Sequence, residues 1–132
     1  MKRRIKFYLI VVGIIVVFDA VAAGASRTVR VDYTKFVWVS YILYVAAGYF
    51  ACKYFDLLSG IVARVVAGLS DSTVGWLLSS ALQPYIPIAQ PKYTPLIVCV
   101  VITTVSLTAT CFGLVGSLIF KIVKRASRLA DA

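Results

Sequence analysis

The chain has 132 residues, of which 61% are apolar, and it carries a formal net charge of +9. Its mean hydropathy is +0.94, and a soluble monomer of this size buries only about two-thirds of its surface. This composition argues against a soluble enzyme, a disordered chain and a disulfide-stapled secreted fold. It predicts an all-α protein whose solvent is the lipid bilayer.

The N-terminal half contains two apolar runs. Residues 7–24 would form about 27 Å of helix, close to the hydrocarbon thickness of a bilayer, about 30 Å. The preceding basic residues and the Ala-Gly-Ala sequence at 23–25 resemble a signal peptide with its cleavage site. Because apolar residues continue past Asp19, we expect this segment to be retained as a span. A second run, residues 36–55, has aromatic residues at both ends, as interfacial belts do.

A further apolar run lies near the C-terminus. Residues 95–120 contain no charge, and the Thr-Pro pair at 94–95 is typical of a helix start. The four prolines between positions 84 and 95 stop the preceding helix. The basic tail, residues 121–132, is predicted to extend the last helix at an anionic cytoplasmic surface.

Charge predicts the topology. Basic residues cluster before the first run and after the last, so the positive-inside bias places both termini in the cytoplasm. An odd number of spans would separate the termini, so the less apolar run at 57–82 must also cross. The prediction is a single four-span bundle with cytoplasmic N and C termini, in a multi-pass protein of the bacterial inner membrane. The same distribution argues against nucleic-acid binding, which needs a basic patch on a polar folded face.

Small residues share one face of the run at 57–82 when it is placed on a helix. Such a face lets a neighbouring helix approach closely. A similar row of small and hydroxyl residues lies along one face of the last span. The predicted helix-packing positions are Gly60, Ala67, Gly75, Ser79, Thr103, Ser106, Thr110, Gly113 and Ser117.

Three charged side chains lie well inside the predicted spans, namely Asp19, Arg64 and Asp71, whereas Lys53 lies near the end of its span. Each costs about 2.5–3.5 kcal/mol at the membrane centre, so such groups normally pair and often mark function. Helical rise puts the two acids at similar heights and Arg64 about 10 Å from Asp71. One interpretation is a site for a proton, a coupling ion or an anion. The other is structural: a buried ion cluster that fixes helix register, or groups close enough to an interface to stay hydrated. A break in the third span near Asp71 also stays open, because Ser and Thr neighbours there favour helix N-caps.

No nucleophile–base pair, phosphate loop or metal-ligand spacing is present. The chain has no His and its three cysteines lie far apart, so we expect no cofactor, no metal site and no enzymatic activity. The cysteines are expected to be small buried apolar side chains.

The two small-residue seams favour a non-catalytic subunit or assembly factor of a larger membrane complex, with the bilayer and other transmembrane helices as partners. One alternative is a small oligomeric transporter or channel that uses Asp19, Arg64 and Asp71. A further alternative is a holin-like protein that permeabilises membranes.

Overall fold

The computed structural model describes residues 2–87 and 94–130. The helices are α1 (Lys2–Val29), α2 (Val37–Tyr54), α3 (Leu57–Ser70), α4 (Trp76–Leu82) and α5 (Pro95–Ala130). A 3-10 turn, Tyr33–Phe36, leads into α2, and a π-helical turn, Asp71–Gly75, joins α3 to α4. No strand occurs within the two described ranges, so the chain is all-helical there.

Four helical segments are long and apolar enough to cross a membrane: Lys2–Val29, Tyr33–Tyr54, Leu58–Leu78 and Pro95–Leu129. They coincide with the four predicted runs. The first helix continues past the predicted end at residue 24, because Thr28 donates its hydroxyl to the Gly24 carbonyl and no helix breaker intervenes. It ends before Arg30, whose φ of 56° is the left-handed conformation that commonly terminates helices.

The third span is one continuous helix with a widened turn. The hydroxyl groups of Ser72 and Thr73 donate back to the carbonyls of Gly68 and Leu69. These residues therefore bond within the helix and do not start a new one. The question of a break near Asp71 is answered in favour of a π turn, a feature that is frequent at functional sites.

The helices α2, α3 and α5 pack against one another, and α1 packs mainly against α3 and α4. Within the described residues the backbone of α1 approaches α2 only sparsely and does not approach α5. The buried apolar core consists of Val11, Ile15, Tyr44, Ala47, Ala67 and Ala109. We call the end that holds both termini and the α2–α3 connection the terminal end, and the opposite end the distal end.

Glycine brings α2 and α5 into backbone contact. A Cβ on Gly48 would overlap the carbonyl of Gly113, and one on Gly116 would overlap the carbonyl of Val45. A Cβ on Gly68 of α3 would lie 2.8 Å from the Cα atom of Ser106. Three of these glycines, at positions 48, 68 and 116, were not among the predicted packing positions.

The predicted packing positions differ in how deeply they are buried. Gly60, Ala67, Gly75, Gly113 and Ser117 are buried, and Ser106 and Thr110 are half-buried. The side chain of Ser79 lies outside the described part of the chain.

Thr103 is exposed, so no helix among the described residues covers it, and its role in helix packing stays a prediction. In α5 no described residue before Ala109 is buried, because the first turns of this helix have no covering neighbour there. The expectation of buried cysteines is wrong for Cys99 and Cys111, which are exposed.

Candidate functional site

Asp19 of α1 and Asp71 of the π turn bring two carboxyl groups together inside the bundle. Gly75 makes the room: the Cγ atom of Asp19 and the Oδ1 atom of Asp71 each lie 3.1 Å from where a Cβ on Gly75 would be. The two groups are close enough for a side-chain hydrogen bond when one of them carries a proton. We call these two residues the acid pair.

Tyr44 of α2 supports the acid pair from the other side. Its ring is 2% exposed, and its hydroxyl donates a hydrogen bond to the Oδ2 atom of Asp71. Asp19 is 3% exposed, and its Oδ2 atom is buried without a hydrogen-bond partner. An unsatisfied buried acceptor is costly, and a proton or a cation would satisfy it.

A cavity of about 300 Å³ adjoins the acid pair. It is bordered by both acids, by Phe18 of α1, by Ser40 of α2 and by the turn Tyr33–Phe36. Because that turn connects α1 to α2, the cavity leads toward the distal end of the bundle.

A second cavity, of about 160 Å³, lies between α2 and α5. Asp71 and Ser40 border this cavity as well, together with Tyr44, Thr104 and Thr108. Asp71 therefore borders open space on two sides of α2.

Arg64 lies two helical turns from Asp71 toward the terminal end and is 1% exposed. Its Nη1 atom donates to the hydroxyl of Ser117 at 3.0 Å, whereas its Nε atom has no partner. The aliphatic stem crosses Gly113, where a Cβ would overlap the Cγ and Cδ atoms of Arg64. The thiol of Cys52 completes this cluster at 3.2 Å from the Ser117 hydroxyl.

The three predicted ionisable residues thus form two separate groups. Among the described residues the one ion pair is Arg4–Asp56, with 2.9 Å between the nitrogen and the oxygen. Arg64 makes no ion pair with Asp19 or Asp71. Both acids lie closer to the distal end than Arg64 does, about two helical turns away along the bundle axis. The acid pair therefore has no basic partner within the described chain.

Tyr44 and Ser40 belong to the site but were not identified from the sequence. A signal was present for Tyr44, because it lies in the middle of an apolar span, away from the interfaces where Tyr usually lies. A buried Tyr hydroxyl needs a polar partner, which points to an acid or carbonyl on a neighbouring helix.

Hydrogen bonds hold the distal end together beside the cavity. The Ser26 hydroxyl donates to the Val31 carbonyl at 2.7 Å and accepts from the Tyr85 amide at 3.1 Å. The Tyr33 amide donates to the Tyr85 carbonyl at 3.1 Å. These hydrogen bonds connect the segment after α4 to the α1–α2 connection and so hold the rim of the cavity in place.

Asp56 closes the terminal end. Its carboxylate accepts from the Ser59 amide at 2.6 Å as the N-cap of α3, and it accepts from Arg4 at 2.9 Å. The hydrogen bonds from Ser59, with a smaller effect of Arg4, hold the pKa of Asp56 below its ordinary value.

Comparisons of the chain with protein families, with curated proteins and with solved structures find no match. Within the described residues no group of three or more His, Cys, Asp or Glu side chains is placed to hold a metal ion. The chemistry open to this site is that of two carboxyl groups in contact, which is the uptake of a proton or of a cation.

Proposed function

We propose that this chain is a small multi-span membrane transport protein in which the acid pair binds a proton or a cation. The observation that carries the proposal is the contact between the buried carboxyl group of Asp19 and the half-buried one of Asp71. Both border a cavity, and neither has a basic partner among the described residues. Two carboxylates in contact repel strongly at low dielectric. A proton or cation removes that repulsion, so the charge of the site changes with its occupancy.

The π turn supports a transport role. It carries Asp71 and holds one more residue than an α turn. A shift of that extra residue along the helix rotates Asp71 relative to Asp19 and to the Tyr44 hydroxyl. Such a shift would pass the carboxyl group from the cavity beside Asp19 to the cavity between α2 and α5.

The proposed orientation places both termini in the cytoplasm, so that the cavity faces the non-cytoplasmic side. It follows from the positive-inside bias. The cations toward the terminal end are Lys2, Arg3, Arg4, Lys6, Lys53, Lys121, Lys124, Arg125 and Arg128.

Labelling tests this orientation in a variant whose three native cysteines are replaced by alanine. Thr34→Cys and Ser127→Cys place a thiol at exposed positions of the distal and terminal ends. An impermeant maleimide added to intact cells should label position 34 and not position 127. The reverse pattern would overturn the orientation.

Flux in proteoliposomes tests the transport function. The purified protein should dissipate gradients of H⁺, Na⁺ or K⁺ faster than protein-free liposomes, and Asp19→Asn and Asp71→Asn should abolish that flux. Asp56→Asn is the matched control, because it removes a carboxylate from an exposed position at the terminal end. Flux equal to that of empty liposomes for every cation, or full flux in both Asn variants, would contradict the proposal.

A hydrophobic carbodiimide gives an independent measurement, because it adds to protonated carboxyl groups in apolar surroundings. Mass spectrometry of peptides should find the adduct on Asp19 or Asp71, and not on the exposed Asp56. The transported cation should slow the labelling, because it occupies the same oxygens. Labelling of Asp56 in place of the acid pair would contradict a protonated site inside the bundle.

A second candidate function is the non-catalytic subunit or assembly factor. It is supported by the start of α5, residues 95–108, where no residue is buried although Cys99 and Thr103 are polar or small. Such a face suits a helix of another protein. Native mass spectrometry after gentle extraction should then find a hetero-complex, and recovery as an isolated monomer would contradict this candidate.

A further inference from the structure

An apolar groove follows the sparse contact between α1 and α2. Two open spaces lie along it, of about 250 Å³ and about 550 Å³. Ile10, Ile14 and Leu43 border both spaces, so the two are one continuous groove. Its lining is apolar throughout, beginning at Phe7 and Phe50 near the terminal end.

The groove leads to the acid pair. Phe18 borders both the groove and the cavity that contains Asp19 and Asp71. From Phe7 to Asp19 the groove follows α1 for about 18 Å at the rise of an α-helix. The apolar groove therefore adjoins the cavity that contains the two carboxyl groups.

We infer that this site takes an amphiphilic cation, with one alkyl chain in the groove and a quaternary ammonium headgroup beside Asp19 and Asp71. The inference rests on the proposed function, to which it adds a substrate class. Charge complementarity supports it, since the acid pair borders the cavity and has no basic partner among the described residues.

The aromatic lining of the cavity supports the same headgroup. Phe18, Tyr33 and Phe36 surround the space next to the acids. Aromatic faces attract quaternary ammonium groups, which cannot donate hydrogen bonds. Acids and aromatic rings together therefore favour an alkylated ammonium.

A phospholipid fits the site less well. Its phosphate would lie close to Asp19 and Asp71, and no Lys or Arg borders the cavity to offset that charge. A neutral amphiphile would fill the groove but leave the acids without a counter-charge. The site thus favours a single-chain cation over either lipid class.

Binding to the protein in lipid nanodiscs tests the inference, with radiolabelled cetyltrimethylammonium as the probe and protein-free nanodiscs as the blank. Saturable binding is expected for this probe and not for cetyl alcohol, which has the same chain without the charge. Asp19→Asn should remove the saturable binding.

Gly13→Trp tests the groove separately. Gly13 borders the groove, and nothing lies within 4 Å of a Cβ at this position. An indole side chain placed there should enter the groove, and we expect the saturable binding to be lost. Gly24→Trp is the matched control, because Gly24 also has open space around its Cβ position but lies outside the groove lining. Binding by Gly24→Trp should equal that of the unaltered chain.

The outcomes separate this inference from the proposed function. Cation flux without saturable amphiphile binding, or undiminished binding in Gly13→Trp, would overturn the substrate class and leave the ion site standing. Binding that Asp19→Asn does not alter would overturn the role of the acids in holding the headgroup. Saturable binding without flux would overturn transport alone.

Discussion

The distal and terminal halves of the bundle bury charge in opposite ways. In the distal half Asp19 and Asp71 border a cavity, and one carboxyl oxygen has no partner. In the terminal half Arg64 packs its stem over Gly113 and donates to Ser117. Burial of an ionisable side chain therefore does not by itself mark a binding site. Open volume beside the group distinguishes the two cases here.

A glycine makes room for the charge in each half, but the room is used differently. At Gly75 the missing Cβ allows two like groups to meet, which is unfavourable without a proton or cation. At Gly113 the methylene groups of Arg64 occupy the space that a Cβ would take, so no open volume remains there. We therefore expect substitutions in the terminal half to change stability and those in the distal half to change binding.

The largest stability effect is expected for Arg64→Ala. Removing the buried stem leaves a cavity, and comparable truncations cost about 2–5 kcal/mol. Arg64→Met keeps most of the stem volume and removes a buried charge that has no counter-ion, so its free energy of unfolding should equal or exceed that of the unaltered chain. Thermal unfolding in detergent measures both variants.

Combining Arg64→Met with Asp71→Asn tests whether the two halves are independent. Groups that share no partner give additive changes within about 0.3–0.5 kcal/mol. A larger coupling would show that Arg64 and Asp71 act as an ion pair, and it would remove the distinction between the halves.

The four long apolar helices were predictable from the sequence, whereas the neighbours of each charge were not. Each run between 7 and 120 is long and apolar, so hydropathy and charge suffice to locate it. Helical rise gives only the axial distance between Arg64 and Asp71, and it does not say that Ser117 faces the arginine. Similarly, the spacing of Thr103 indicates a small face on α5 but not whether another helix covers it.

The residues contributed by α2 were the hardest to predict. Gly48 belongs to a run without a seam of small and hydroxyl residues, so nothing in the pattern of α2 distinguishes it. The position of Tyr44 in the middle of that run indicates a polar partner but does not say which residue it is. Their roles depend on α5 and on the π turn, which lie far away in sequence. Only the packed arrangement of the helices identifies them.

Gly48→Ala should destabilise the terminal half by about 1–3 kcal/mol, the usual cost of overpacking. Its Cβ would overlap the carbonyl of Gly113, which is backbone and cannot rotate away. Gly13→Ala is the matched control: its Cβ meets nothing within 4 Å, and alanine favours a helix over glycine by about 1 kcal/mol. Equal melting temperatures for the two variants would contradict backbone contact between α2 and α5.

Tyr44→Phe should have a smaller effect on stability and a clear effect on the acid pair. It removes the hydroxyl that donates to Asp71, and such a hydrogen bond contributes about 0.5–1.5 kcal/mol. The rate of cation flux should fall, because the Asp71 carboxyl group loses the hydrogen bond that holds it beside Asp19. An unchanged flux rate would show that Tyr44 only fills space.

The smallest effect on stability is expected for Asp56→Asn, because Asp56 is an exposed residue that caps α3 at the terminal end. Its pKa in the folded protein is lowered, first by the hydrogen bonds from Ser59 and then by Arg4. A lowered folded pKa means that the carboxylate stabilises the fold above its unfolded pKa, about 3.9, and that this contribution disappears as the pH falls through the folded value. Asp56→Asn keeps a helix-capping side chain without the charge. The difference in melting temperature between the unaltered chain and Asp56→Asn should therefore shrink on acidification below about pH 4. If that difference stays constant there, the charge of Asp56 does not contribute and the stabilisation comes from the cap geometry alone.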